Sequence, residues 1–217
     1  MAKILHIIAS PRGEDSRTLR ISRAFLEDLK KKDRDTRVDE LDLFDEELPR
    51  FGAERARDKY ALMAGGGVKE QSQREWGGVE RHIERFLSAD LILISTPMWN
   101  FGIPYVLKHY IDVIVQPGYL FKYGANGPEG LARGKRMVVI SSRGGVYAKG
   151  TPTHAFDQLE PYLRTVFGFV GVSDISFVNA EGMDISGPED RERIIERAIA
   201  RARGLSTERA PEPVVSG

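Results

Sequence analysis

The chain has 217 residues, enough for one α/β domain with a substantial core and only marginally enough for two domains. Lysine plus arginine and aspartate plus glutamate number 32 each, so the net charge of zero favours neither nucleic acid nor an anionic membrane as a partner. The absence of cysteine excludes disulfides, thiolate catalysis, iron–sulfur clusters and thiolate zinc sites.

Short apolar runs alternate with amphipathic segments along the chain, which predicts strands alternating with helices. The apolar runs predict strands at residues 4–9, 91–95, 137–141 and 175–178, with a weaker strand at 37–41. The amphipathic segments predict helices at residues 17–32, 70–88, 104–115, 153–167 and 188–203. Five repeats of strand and helix predict an α/β fold with a doubly wound parallel sheet that is covered on both faces.

Two segments depart from this alternation. Residues 44–67 form a long connection with Pro49, Gly52 and a run of three glycines, so a surface path is expected. Residues 1–203 are predicted to form a single domain, and the proline-containing residues 204–217 are predicted to be a disordered tail.

The loop after the first strand is rich in hydroxyl groups. It reads Ser10-Pro11-Arg12-Gly13-Glu14-Asp15-Ser16-Arg17-Thr18 and leads into the first helix. A helix N-terminus offers unpaired N–H donors and about half a positive charge, which suits a phosphate. The loop lacks a Walker lysine and dinucleotide glycine spacing, so it fits a terminal monophosphate such as that of FMN. The alternative interpretation is that Asp15 or Ser16 only caps the helix.

The loop after the third strand is aromatic. It reads Pro97-Met98-Trp99-Asn100-Phe101-Gly102-Ile103-Pro104. Its thioether and aromatic side chains could flank a flat ring, and Asn100 offers a donor and an acceptor to a heterocycle edge. The alternative is a tight turn with a core tryptophan.

The loop after the fourth of these strands is rich in glycine and reads Ser142-Arg143-Gly144-Gly145-Val146-Tyr147. Paired glycines let backbone N–H groups approach a ligand closely, although a flexible turn would show the same pattern. All three loops follow parallel strands, so they should meet at one edge of the sheet. The combination predicts a site for a mononucleotide with a flat ring.

Together with Gly127-Pro128-Glu129-Gly130, these loops resemble the FMN-dependent NADH-azoreductases, also described as NADH:quinone oxidoreductases. The resemblance extends from the first strand to about residue 177. It implies a flavodoxin-like five-stranded parallel sheet with strand order 2-1-3-4-5, and a homodimer in which the partner completes each site. The positions that the resemblance assigns to FMN are Ser10, Ser16, Arg17, Thr18, Met98, Trp99, Asn100, Phe101, Ser142, Arg143, Gly144 and Gly145. The sequence departs from the family in its highly charged first loop and in Trp99, where tyrosine is common.

The resemblance also implies an activity, namely two-electron transfer from NADH or NADPH to a quinone or azo acceptor by a ping-pong mechanism. The flavin carries that chemistry, so no protein residue is expected to be catalytic. Phe121 and Tyr147 are expected to line the acceptor pocket. Tyr119, Phe121 and Tyr123 alternate along the chain, so they could instead pack into a dimer contact or a small hairpin.

Three other functions remain open on the same fold: a flavodoxin-type electron carrier, a non-enzymatic quinone sensor and an NADPH-dependent FMN reductase. The four histidines, at positions 6, 82, 109 and 154, show no ligand spacing, so no metal site is expected. The sequence shows neither a signal peptide nor a membrane span, so a cytoplasmic protein is expected.

Overall fold

The computed structural model describes residues 2–68 and 73–206, and its centre is a five-stranded parallel sheet. The described residues form seven strands: β1 Lys3–Ile8, β2 Arg37–Asp42, β3 Leu91–Pro97, β4 Phe121–Gly124, β5 Gly127–Gly130, β6 Arg136–Ser142 and β7 Asp174–Ala180. The sheet has the order β2-β1-β3-β6-β7, and β4 pairs with β5 in a separate antiparallel hairpin. The expected order is 2-1-3-4-5. In the structure the last two strands of the sheet are numbered β6 and β7, because the β4–β5 hairpin precedes them in the chain.

The described residues form six α-helices: α1 Arg17–Lys32, α2 Ala53–Met63, α3 Gln73–Ser88, α4 Tyr105–Ile114, α5 Leu159–Phe169 and α6 Pro188–Leu205. Side chains of α3, α4 and α5 pack with one face of the sheet, and those of α1 and α6 pack with the other face. The three central strands β1, β3 and β6 are buried on both sides, which explains their continuous apolar runs. In the part of the chain that the structure describes, none of the helices is long and apolar enough to cross a membrane.

The structure differs from the sequence prediction at three helices. The predicted helix at 153–167 begins only at Leu159, because the Asp157 carboxylate accepts the N–H groups of Leu159 and Glu160 and so caps the helix there. The connection at 44–67 contains α2. The predicted start of the helix at 70–88 and the tail from residue 207 lie outside the described residues, while α6 continues to the buried Leu205.

Candidate functional site

Three hydroxyl groups meet where β1 leads into α1. Ser16 is the N-cap of α1, and its Oγ accepts the N–H of Leu19 at 3.3 Å. The same oxygen lies 2.9 Å from Ser10 Oγ and 2.9 Å from Thr18 Oγ1, and all three side chains are largely buried. We call this group the hydroxyl cradle. Among the described residues, the N–H groups of Arg17 and Thr18 find no acceptor, so capping by Ser16 still leaves donors for an anion.

The hydroxyl cradle forms the floor of a cleft of about 170 Å³ at the carboxyl edge of the sheet. The cleft brings together residues from all three loops of the prediction and one further loop. It is lined by Ser10, Pro11, Arg12, Ser16, Arg17, Thr18, Pro97, Met98, Trp99, Ser142, Gly144 and Asp184. Pockets that enclose a whole ligand measure about 300–1,000 Å³, so this cleft encloses only part of a mononucleotide.

The aromatic loop forms a strained two-residue turn beside the cleft. Trp99 and Gly102 exchange backbone hydrogen bonds of 2.9 and 3.0 Å, and the two residues between them have positive φ angles. The φ of 47° at Asn100 is tolerated by asparagine, whereas the φ of 70° at Phe101 is rare for a bulky side chain. The turn holds Trp99 and Phe101 at 37% and 48% exposure, so Trp99 is not a core residue. Backbone strain of this kind concentrates at functional sites.

The glycine-rich loop is fixed by the loop that follows β7. The N–H groups of Gly182, Met183 and Asp184 donate to the carbonyls of Gly145, Arg143 and Gly144 at 2.8, 2.9 and 3.0 Å respectively. A side chain at Gly144 would place its Cβ 2.5 Å from an Asp184 oxygen, so only glycine fits without a shift of that carboxylate. Within the described residues, the N–H groups of Gly144 and Gly145 have no acceptor. This loop therefore presents backbone donors beside the cleft.

Arg143 does not present its side chain to the cleft. Its guanidinium is 1% exposed and donates to Ser141 at 2.9 Å, Asp157 at 2.6 Å and Glu181 at 3.3 Å. Glu181 in turn accepts the N–H of Tyr147. Arg143 thus ties the glycine-rich loop to the start of α5 and the end of β7, and its predicted flavin contact is not supported through the side chain.

The two predicted pocket residues lie in different places. Tyr147 ends the glycine-rich loop, and its ring contacts the Phe101 ring edge-on at a centroid distance of 6.3 Å. Phe121 is only 4% exposed and packs against Phe169 at the end of α5, with ring centroids 4.8 Å apart. Phe121 is not among the residues that line the cleft. The sequence alternation 119–123 proves to be part of a hairpin.

Asp184 and Arg12 line the cleft, but they were not among the site residues predicted from the sequence. Asp184 lies in the loop after β7, and it contacts Arg17 at 3.3 Å. The rule that ligand-binding loops follow parallel strands applies to this loop as well. The loop contains neither paired glycines nor aromatic residues, so its local pattern does not single it out.

A buried histidine is connected to the underside of the cradle. His6 Nε2 lies 2.8 Å from Ser95 Oγ, which contacts Ser22, and Ser22 Oγ donates to the Thr18 carbonyl at 2.9 Å. Burial lowers the pKa of His6 from its ordinary value of 6.5 to about 4, with a smaller contribution from the positive charge of Arg23. The imidazole is therefore neutral at pH 7 and serves as a polar support within the core.

Comparison with known proteins places the chain among flavin-dependent relatives. The family model described as "Flavodoxin-like fold" matches residues 2–205. An FMN-dependent NADH:quinone oxidoreductase of Nitratidesulfovibrio vulgaris is 36% identical over 208 residues, covering 96% of this chain and 100% of that protein. FMN-dependent NADH:quinone oxidoreductase 2 of Pseudomonas syringae pv. tomato is 39% identical over 203 residues, covering 94% of this chain and 97% of that protein.

Solved structures show the same similarity. The azoreductase from Bacillus anthracis strain Sterne superimposes with a TM-score of 0.84 at 31% identity, covering 95% of this chain and 99% of that chain. An FMN-dependent NADH-azoreductase from Bacillus anthracis strain Ames Ancestor, solved in complex with FMN, has a TM-score of 0.85 at 26% identity, covering 97% of this chain and 100% of that chain.

Proposed function

The chain belongs to the flavodoxin-like FMN-dependent NADH:quinone oxidoreductases, and on this premise we propose that it transfers two electrons from a reduced nicotinamide to quinones and azo compounds. NADH is the donor in the names of its relatives, and NADPH is a second donor to be tested. The donor leaves the site before the acceptor enters, so both use the same position in turn. This order explains why the site needs no separate pockets for the two substrates.

The residues of the cleft fit FMN. The hydroxyl cradle and the free N–H groups of Arg17 and Thr18 would hold the phosphate. Gly144 and Gly145 would donate to the polar edge of the ring system, and the turn at Asn100 would lie along its side. When bound, FMN supplies the redox chemistry by accepting a hydride and passing two electrons to the acceptor.

The acceptor would stack among exposed aromatic side chains beside the cleft. Phe101 contacts Phe156 at a centroid distance of 5.4 Å and also contacts Tyr147. These three rings form an open aromatic surface that a flat quinone or azo compound can cover. Phe101 holds its position because the Gln158 N–H donates to its carbonyl at 2.9 Å, next to the Arg143–Asp157 ion pair. The protein therefore orients the acceptor with a preformed surface.

A homodimer is part of the proposal. One protomer encloses only about 170 Å³ around the cradle, and Trp99 and Phe101 remain exposed at its rim. A second copy that closes over this rim, with the acceptor between it and the Phe101 ring, would exclude water from the site during electron transfer. A mass measurement in solution by light scattering tests this part of the proposal independently of activity.

The convergence of the hydroxyl cradle and the strained aromatic turn on one cleft is the observation that carries the proposal. The test is a single-cuvette absorbance experiment with purified protein that has been loaded with FMN and passed through a desalting column. We expect the visible flavin band to persist, to bleach with NADH and to return when benzoquinone is added.

Each failure of this experiment has a distinct meaning. Loss of the flavin band on the column would contradict tight FMN binding, as expected for an FMN reductase that releases its flavin. Bleaching without steady NADH consumption in the presence of excess benzoquinone would indicate an electron carrier. No bleaching with NADH or NADPH would remove the proposed activity.

A further inference from the structure

The cleft contains one acidic side chain where an anionic group is to bind. Asp184 lines the cleft beside the hydroxyl cradle, and its side chain is 73% exposed. Its Oδ1 lies 3.3 Å from a guanidinium nitrogen of Arg17, the first residue of α1. The guanidinium of the first residue of α1 is therefore already paired with an anion of the protein itself.

The backbone keeps Asp184 in this position. Its N–H donates to the Gly144 carbonyl, and the two residues before it make equivalent bonds to the same loop. Arg191 also donates to the Met183 carbonyl at 2.7 Å, which fixes the loop from the α6 side. The lack of a side chain at Gly144 leaves the space that the Asp184 carboxylate occupies. Because the backbone of the loop is held, Asp184 can move only by rotating its side chain when a ligand arrives.

We propose that Asp184 is a specificity-determining residue of the cleft, because it competes with the ligand phosphate for Arg17 and so weakens the binding of FMN. This inference rests on the proposed function, which supplies FMN as the ligand. A phosphate monoester carries nearly two negative charges at neutral pH. Arg12 and Arg17 together contribute two positive charges to the cleft, and Asp184 cancels one of them.

Neutralising Asp184 should therefore strengthen phosphate binding in particular. In Asp184→Asn, the amide keeps the size of the side chain but releases the charge of Arg17. We expect this variant to bind FMN about two- to fivefold more tightly than the wild type, as an exposed charge interaction of this kind allows. Riboflavin lacks the phosphate, so its affinity should not change.

The experiment titrates flavin-free protein with FMN and with riboflavin and follows the quenching of flavin fluorescence. The matched control is Asp190→Asn, the same chemical change at an exposed carboxylate of α6 that pairs with Arg193 outside the cleft. We expect the control to bind both flavins as the wild type does. The gain from Asp184→Asn should also disappear in the background of Arg17→Gln, since a double-mutant cycle isolates the coupling between the two side chains.

The outcomes separate this inference from the function it rests on. Unchanged or weaker FMN binding by Asp184→Asn would overturn the inference and leave FMN binding by the wild type intact. An equal gain for riboflavin would also overturn it, because the effect would not act through the phosphate. Absence of FMN binding by the wild type and by Asp184→Asn would overturn both the inference and the proposed function.

Discussion

Replacement of Phe101 tests whether the aromatic turn is held in a strained conformation. A residue with a Cβ in the left-handed region costs about 1–2 kcal/mol, and glycine avoids this cost. Glycine costs about 0.4–1 kcal/mol relative to alanine through the greater freedom of the unfolded chain. Because φ at position 101 is 70°, Phe101→Gly should be more stable than Phe101→Ala by about 0.5–1 kcal/mol.

Thermal unfolding of the two flavin-free variants measures this difference. A change of 1 kcal/mol corresponds to about 2–4 °C in a domain of this size, so the glycine variant should melt about 1–4 °C above the alanine variant. Both variants lose the ring contacts with Tyr147 and Phe156, so these contacts cancel in the comparison. Both variants should also show a raised KM for benzoquinone, because the aromatic surface has lost a ring.

Phe156 provides the matched control. It belongs to the same aromatic cluster and is 53% exposed, but its φ is not in the left-handed region. Here the usual order should hold, with Phe156→Ala more stable than Phe156→Gly. A glycine variant at position 101 that melts below the alanine variant would refute the inference that the turn is strained.

Three further predictions concern packing, charge and pH. Gly130→Ala would place a Cβ 2.3 Å from backbone atoms of the turn before β7, so we expect the free energy of unfolding in urea to fall by about 1–3 kcal/mol. The control is Gly77→Ala, which has open space around it in α3 and should raise the free energy of unfolding by about 0.5–1 kcal/mol. Arg143→Met leaves the buried Asp157 without its countercharge and should lower the free energy of unfolding by about 3–5 kcal/mol. Arg143→Lys should recover only part of this loss. Wild-type stability in Arg143→Met would contradict the role of this ion pair. Because the pKa of His6 is lowered to about 4 in the folded chain, the unfolded chain binds a proton first as the pH falls. The free energy of unfolding therefore keeps its full value above pH 6.5 and loses about 3 kcal/mol by pH 4 through this histidine. His6→Gln should therefore lose less stability than the wild type between pH 7 and pH 4 in denaturant titrations, and identical losses would show that His6 does not titrate in this range.

The sheet and the convergence of its loops could be predicted from the sequence because they depend on local patterns. Buried parallel strands leave continuous apolar runs, such as 91–95 and 137–141, and loops after parallel strands meet at one edge. The hydroxyl groups of Ser10, Ser16 and Thr18 meet because they belong to one of these loops, which leads from β1 into α1. The pattern places the start of α5 too early, because the capping residue Asp157 lies inside the segment 153–167 that the sequence predicts as helical.

Other features depend on contacts between distant parts of the chain, which local patterns do not encode. Arg143 could equally have faced a ligand, and only the approach of Asp157 and Glu181 from two other loops turns it inward. Phe121 packs against Phe169 of α5 and is absent from the cleft lining. Asp184 reaches the cleft because the loop after β7 pairs with the glycine-rich loop.

A crystal structure of the protein grown with FMN tests most directly whether this cleft holds the cofactor. We predict that the phosphate accepts hydrogen bonds from the hydroxyl groups of the cradle and from the N–H groups of Arg17 and Thr18. We also predict that the flavin ring lies between the aromatic turn and Gly144–Gly145. FMN bound elsewhere on the chain, or a phosphate turned away from the cradle, would contradict the assignment of the site.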